Sequence, residues 1–116
     1  MIKDVAFVAY SVRDVPKAIA FYRDVVGLRP GELFGEHWAE FDAGSTTFGI
    51  GNGETLGFMP GKSNGVMFEV DDVAAGRERL LRGGAADVSE LNEFPNCRSC
   101  FASDPEGNRF GLHERR

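Results

Sequence analysis

The sequence predicts an α+β fold of two tandem βαβββ modules, on three observations. The opening of the chain recurs: Asp4 to Val15 and Asn64 to Val73 each carry an apolar strand, an acidic turn and a helix start, at an offset of about 58 residues. The module ends also match, Asp42 to Gly51 against Asp104 to His113, at an offset of about 62. The third observation is that an alternating apolar pattern gives way to a helical one once in each half. Two copies of a small module pack about a pseudo-twofold axis, and a cleft at the junction is where a ligand sits.

The elements follow in order. Residues 4–12 read as a strand. Asp14 is a helix N-cap and Pro16 falls in the first turn, where its missing N–H costs little. Val15, Ala18, Ile19, Tyr22 and Val25 repeat at helical spacing, and Gly27 is the stop. Two or three strands fill 29–51, with turns expected at Pro30-Gly31, Gly35 and Gly44. The Gly- and Pro-bearing stretch 52–63 is the linker, so module 1 covers about 1–51 and module 2 about 64–116 of a single domain. Module 2 repeats the plan: strand 65–70, cap at Asp71 or Asp72, helix 73–82, stop at Gly83-Gly84, strands to His113, and a short charged end at 114–116.

Neither half is large enough to bury a stable core alone, so the modules must share one. The net charge of −5 argues against nucleic acid, which needs clustered Lys and Arg. No apolar run approaches the ~18 residues of a membrane span, and Met1-Ile2-Lys3-Asp4 has no signal-peptide pattern. The expected location is the cytoplasm, with no membrane partner. Cys97 and Cys100 are spaced as Cys-x-x-Cys, but the stretch reads as strand, on which i and i+3 face opposite sides. Two reduced thiols fit better than a redox pair or half a zinc site, and whether Cys97 has a role stays open.

Strand parity sorts the residues by face. Val8, Tyr10 and Val12 match Val66, Phe68 and Val70 and should face the helices, as should Phe48, Ile50, Phe110 and Leu112. Phe7, Ala9 and Ser11 match Gly65, Met67 and Glu69 on the other face. Thr47, Gly49 and Gly51 match Arg109, Gly111 and His113 there. That second face should line the cleft.

Three segments carry a resemblance: Val12-x-Asp14-Val15-x-x-Ala18-x-x-Phe21-Tyr22 running to Gly27-Leu28, then Phe68-Glu69-Val70-Asp71-Asp72, then Asp104-Pro105-Glu106-Gly107-Asn108. Together they resemble the vicinal oxygen chelate superfamily, which groups glyoxalase I, extradiol dioxygenases, fosfomycin-resistance enzymes and bleomycin-resistance proteins. The resemblance implies sheets curled into a cup around a central cleft. In the metal enzymes of that family four ligands, usually His and Glu, come from the cup face. Carried over, their positions are Phe7, Gly49, Gly65 and Gly111, none with a side-chain donor. The resemblance therefore implies no metal cofactor, although a divalent site rebuilt from Glu69, His113, Glu40 and a cysteine stays conceivable. The three glycines either ease close strand approach or enlarge the middle of the cup, with Phe7 as an aromatic wall. Cys97 and Leu112-His113 also resemble small single-domain members of unassigned activity.

The ligand-binding candidates are Phe7, Ala9, Trp38, Gly49, Gly65, Met67, Glu69, Arg109, Gly111 and His113. Trp38 packs in the core or serves as a cup wall. Arg109 is either solvated or grips an anion. Glu69 and His113 are the catalytic candidates, because a His beside a carboxylate can act as acid and base near neutral pH; an ion pair at the rim is the alternative. The resulting expectation is a small-molecule-binding protein, with sequestration of a drug as in bleomycin-resistance proteins and a homodimer by analogy. The competing expectation is a lyase, isomerase or dioxygenase-like enzyme using relocated ligands or the Glu69/His113 pair.

Overall fold

Two aspartates set the start of the two main helices. Asp14 accepts from the Lys17 N–H (3.1 Å) ahead of α1 (Val15–Ala20), and Asp72 accepts from the Ala75 N–H (3.1 Å) ahead of α3 (Val73–Arg82). In the computed structural model, which describes residues 1–116, α1 continues as a π-helical segment, Phe21–Val26. Gly27 stops it at φ +96°, with the Gly27 and Leu28 N–H groups both donating to the Tyr22 carbonyl. The strands are β1 (Val8–Val12), β2 (Arg29–Phe34), β3 (Trp38–Ala43) and β4 (Thr46–Asn52), then β5 (Val66–Glu69), β6 (Asn92–Phe94), β7 (Cys97–Ser103) and β8 (Arg109–Arg115). They form two four-stranded mixed sheets, β1-β4-β3-β2 and β5-β8-β7-β6, with β1/β4 and β5/β8 parallel. The fold is the α+β, twice-repeated βαβββ plan that the sequence predicts.

Four local expectations differ. The first strand starts at Val8, not residue 4, because pairing with β4 begins at Val8↔Phe48. Pro30-Gly31 is not a turn; it lies inside β2, where an irregular register between Pro30 and Leu33 absorbs the proline. The linker holds a short helix, α2 (Gly53–Leu56), capped by Asn52 accepting from the Thr55 N–H (2.8 Å). Glu114 and Arg115 are not a loose end, because pairing with Cys97 and Arg98 draws them into β8. No helix is long and apolar enough to cross a membrane.

The two sheets meet through their helix-facing sides. Tyr10, Tyr22, Phe41, Phe48, Phe68 and Phe110 are buried in one shared core. Phe48 lies 5.2 Å from Phe68 across the modules, and Tyr22 lies 5.1 Å from Phe48 and 5.8 Å from Phe110. Edge-to-face aromatic pairs such as Phe48–Phe68 add to the area they bury.

Polar ties lock this arrangement. The Asp104 carboxylate, 2% exposed, accepts from the Tyr22 hydroxyl (2.8 Å), the Asn108 amide (2.9 Å) and the backbone N–H groups of Glu106 and Asn108. Asn108 also donates to the Ser11 carbonyl (3.1 Å) and accepts from the Ser63 N–H (2.9 Å). Glu106 accepts from the Arg13 and Asp14 N–H groups at the start of α1. Burial, and then Asp104 beside it, push the Tyr22 hydroxyl well above the usual tyrosine range, so it stays protonated as a donor. The Tyr10 hydroxyl donates to the Arg109 carbonyl (2.6 Å) and accepts from the Val66 N–H (3.1 Å). The Asp-Pro-Glu-Gly-Asn turn is thus the clasp between modules.

Asp104→Ala strands two buried donors and should cost about 3 kcal/mol in urea unfolding, whereas Tyr22→Phe, which leaves Asp104 its other partners, should cost about 1 kcal/mol. Equal losses would contradict the clasp.

Candidate functional site

Because the helix-facing sides are joined, the opposite faces of the two sheets turn outward. Phe7 (49% exposed), Met67 (39%) and Phe101 (36%) are large apolar side chains left open on them.

On the first sheet, Ala9, Gly49 and Glu40 stand side by side across β1, β4 and β3, and Ser11, Gly51 and Trp38 form the next row. The indole of Trp38 lies across β4. A Cβ at Gly49 would collide with the ring, and one at Gly51 would come within 2.9 Å of it. The Phe7 ring meets the indole edge-on, centroids 5.2 Å apart. The Trp38 N–H donates to a Glu40 carboxylate oxygen at 2.9 Å.

On the second sheet, Met67, Gly111 and Phe101 make one row and Glu69, His113 and Ser99 the next. The Met67 thioether occupies the space a side chain at Gly111 would need. His113 Nδ1 donates to Glu69 Oε1 at 2.6 Å, and the Arg115 N–H donates to Glu69 Oε2 at 2.7 Å. These bonds, His113 first, hold the Glu69 carboxyl below the usual glutamate range. With Nδ1 committed as donor, Nε2 of a neutral His113 is left as an acceptor. Arg109 is occupied: it donates to the Asp87 carbonyl (2.7 Å) and Ser103 Oγ (3.1 Å), with its guanidinium 5.9 Å from the Phe101 ring centre. Gly65 has open space around it and serves the backbone, at φ +99°.

The structure therefore brings Phe7 and Trp38 together, with Ala9 and Gly49 beside them on the same face, and Met67, Glu69, Gly111 and His113 together on the second. It does not bring the two groups to one cleft within the chain. Phe7, Trp38, Gly49, Gly65, Arg109, Gly111 and His113 line none of the chain's cavities. The groove between the modules, about 550 Å³, runs along Val8, Leu28, Phe48, Val66 and Phe68, and of the predicted site residues only Met67 and Glu69 line it. Of the two readings of the glycines, close approach is the one seen at two of them: Gly49 seats Trp38 and Gly111 seats Met67. The four positions that the family resemblance assigns to metal do not fit an ion. Phe7 and the three glycines offer no donor, a Cβ at Gly49 or Gly111 would strike a neighbouring side chain, and no three His, Cys, Asp or Glu side chains converge anywhere in the chain. Ser99 was not nominated from the sequence, and Glu40 only as a member of a conceivable rebuilt metal site, yet alternation with the buried Ala39, Phe41 and Cys100 was signal enough to place both on the outward faces. Cys97 and Cys100 are free thiols, with Cys100 buried and its pKa raised by that burial.

These features define a protein of paired βαβββ modules presenting two sheet faces, one aromatic and one carrying a His–carboxylate pair. The chain belongs to the Glyoxalase/Bleomycin resistance protein/Dioxygenase superfamily, whose model matches residues 5–112. Among solved structures it is similar to TnmS3, an antibiotic binding protein from Streptomyces sp. CB03234 (29% identity, TM-score 0.83, 99% of this chain and 98% of that one). It is similar also to a glyoxalase/bleomycin resistance protein from the same organism (28%, TM-score 0.80, 94% and 98%). Lactoylglutathione lyase from Agrobacterium tumefaciens shares the fold (22%, TM-score 0.79, 97% and 94%). No curated protein is significantly similar in sequence.

Gly49→Ala should shift Trp38 emission and lower the thermal midpoint by several degrees; an unchanged spectrum would show that the ring does not rest on Gly49. Glu69 supplies a pH dependence of known sign. Its folded pKa is depressed, so its contribution is complete above the usual glutamate range and is lost as pH falls through the folded value. Glu69→Gln should flatten the acid limb of the midpoint-against-pH curve, and an unaltered limb would count against the pairing.

Proposed function

We propose that this protein binds and holds a flat, largely apolar organic molecule, and that the half-buried indole of Trp38, laid on Gly49 and Gly51 with the exposed Phe7 ring beside it, is the floor of the site. That floor is the observation that carries the reading, since an open aromatic surface with few polar groups suits an organic ligand. The likeness to an antibiotic binding protein at 29% identity supports a sequestering role. Phe7, Ala9, Trp38 and Gly49 make one wall. Gly65, Met67, Glu69, Gly111 and His113, with Arg109 fixing Phe101, make the other. Because the two walls look outward within one chain, we propose that a homodimer closes the cup, each copy giving one wall. No divalent metal takes part. The two free thiols suit the reducing cytoplasm we expect for it.

A second reading has its own observation. The 2.6 Å bond from His113 to Glu69 orients the imidazole as in an acid–base pair. It supports an isomerase- or lyase-like proton transfer at the same cup. His113→Ala separates the two: retained binding with no turnover to lose favours sequestration, while loss of a detected turnover favours the enzyme.

Trp38 is the only tryptophan, so its emission reports the site directly. A panel of planar aromatic compounds should quench it saturably, and Trp38→Ala should weaken binding measured by calorimetry at least about tenfold, a loss of about 1.4 kcal/mol. Sedimentation should give a dimer mass. A thermal scan of chelated protein against Ni, Zn, Fe, Mn and Mg should show no shift; one saturable shift, about 2.7 kcal/mol at a hundredfold excess over Kd, would move the case to a metal enzyme.

A further inference from the structure

We infer that the ligand held on the Trp38 face carries a cationic nitrogen, and that Glu40 is the carboxylate that receives it. The inference rests on the binding reading above and adds its charge. Glu40 is a half-buried acid with room on both sides. Its neighbour across β4 is Gly49, and on the β2 side Gly31 lies against its backbone, a Cβ there coming within 3.3 Å of the Glu40 carbonyl. Neither Gly49 nor Gly31 carries a side chain that could cover the carboxylate. Trp38 takes one of its oxygens through the indole N–H (2.9 Å), which fixes the headgroup and leaves the other oxygen to accept. Glu40 pairs with no Lys, Arg or His, unlike its neighbour Asp42, which Arg29 approaches at 3.8 Å on the exposed rim.

The surroundings carry the same sign. Glu40 lines a cavity of about 410 Å³ between the start of the chain and β3, together with Asp4, Glu32 and Asp42 and no basic residue. The aromatic pair points independently to a cation. An indole face attracts a positive charge through its quadrupole, more strongly than a phenyl face, and the Glu40 carboxylate is bonded to that same indole. A protonated amine or amidine on an aromatic body would meet the ring with its flat part and Glu40 with its N–H, a charge-assisted hydrogen bond in a partly desolvated setting. An anion there would meet the Glu40 carboxylate, with Asp4 and Glu32 in the adjoining cavity. The other outward face has no such bias, because Glu69 there is already held by His113 and the Arg115 N–H.

Three probes of one shape test this by calorimetry at neutral pH: 9-aminoacridine (cation), acridine (neutral) and acridine-9-carboxylate (anion). The cation should bind at least about tenfold more tightly than acridine, the anion most weakly, and added salt should narrow the gap. Glu40→Gln keeps an acceptor for the indole N–H. It should bring the cation within about threefold of acridine while leaving acridine itself unchanged. Thermal midpoint and Trp38 emission of the variant confirm its fold. Equal affinities, or a preference for acridine or the anion, would overturn the cation assignment and leave the binding reading standing. A preference that survives Glu40→Gln would overturn the role of Glu40. Binding of none of the three would overturn both readings.

Discussion

The arrangement of this molecule depends on one buried carboxylate. Asp104 gathers donors from its own turn and from the first helical segment, and Asn108 carries the same network on to Ser11 and Ser63. A buried acid is costly unless every lone pair is used. Asp104 uses them on groups from both modules, so parting the modules breaks a hydrogen-bond set that no other arrangement of the chain supplies. The aromatic core supplies the bulk of the burial but little direction. Several rings can slide past one another at similar cost, whereas this hydrogen-bond set has one geometry.

From that constraint the site follows. With the helix-facing sides clasped together, the two opposite faces must look away from each other. The glycines along those faces then act as seats. Strand β4 lacks side chains at Gly49 and Gly51, so the large indole from β3 lies flat instead of standing up, and Phe7 closes its edge. The same device recurs with Met67 over Gly111. A position that in metal-binding relatives is expected to project a ligand becomes, here, the bed for a neighbour's side chain.

Much of this was legible in the sequence wherever the cause is local. Asp14 and Asp72 cap helices because their side chains reach back to the backbone three residues on, and Gly27 ends one by accepting a positive φ. Alternation placed Tyr10, Phe48, Phe68 and Phe110 in the core and Met67 on the opposite face, while Trp38 stayed open between core and wall until its pairing with Gly51 was seen. What was not legible depends on partners distant in the chain. Residues 4–7 have strand-like composition, yet the ladder to β4 begins only at Val8↔Phe48. Pro30-Gly31 reads as a turn until β3 runs beside it. Whether a glycine leaves a void or seats a ring is decided across strands. Above all, periodicity tells which residues share a face and says nothing of which two faces will meet. That choice was made by Tyr22, Asp104 and Asn108, whose spacing of 82 and 4 residues mixes long-range and local bonds.

The outward placement of Trp38, Glu40, Met67 and His113 has a bearing on how such a protein changes over generations. Residues inside the clasped core are bound to one another, and a substitution there is felt by both repeats at once. Residues on the open faces touch mainly their own sheet, so a change at an exposed position such as Phe7 or Phe101 is felt by one repeat rather than by both. A duplicated scaffold of this kind carries two such faces that can drift separately.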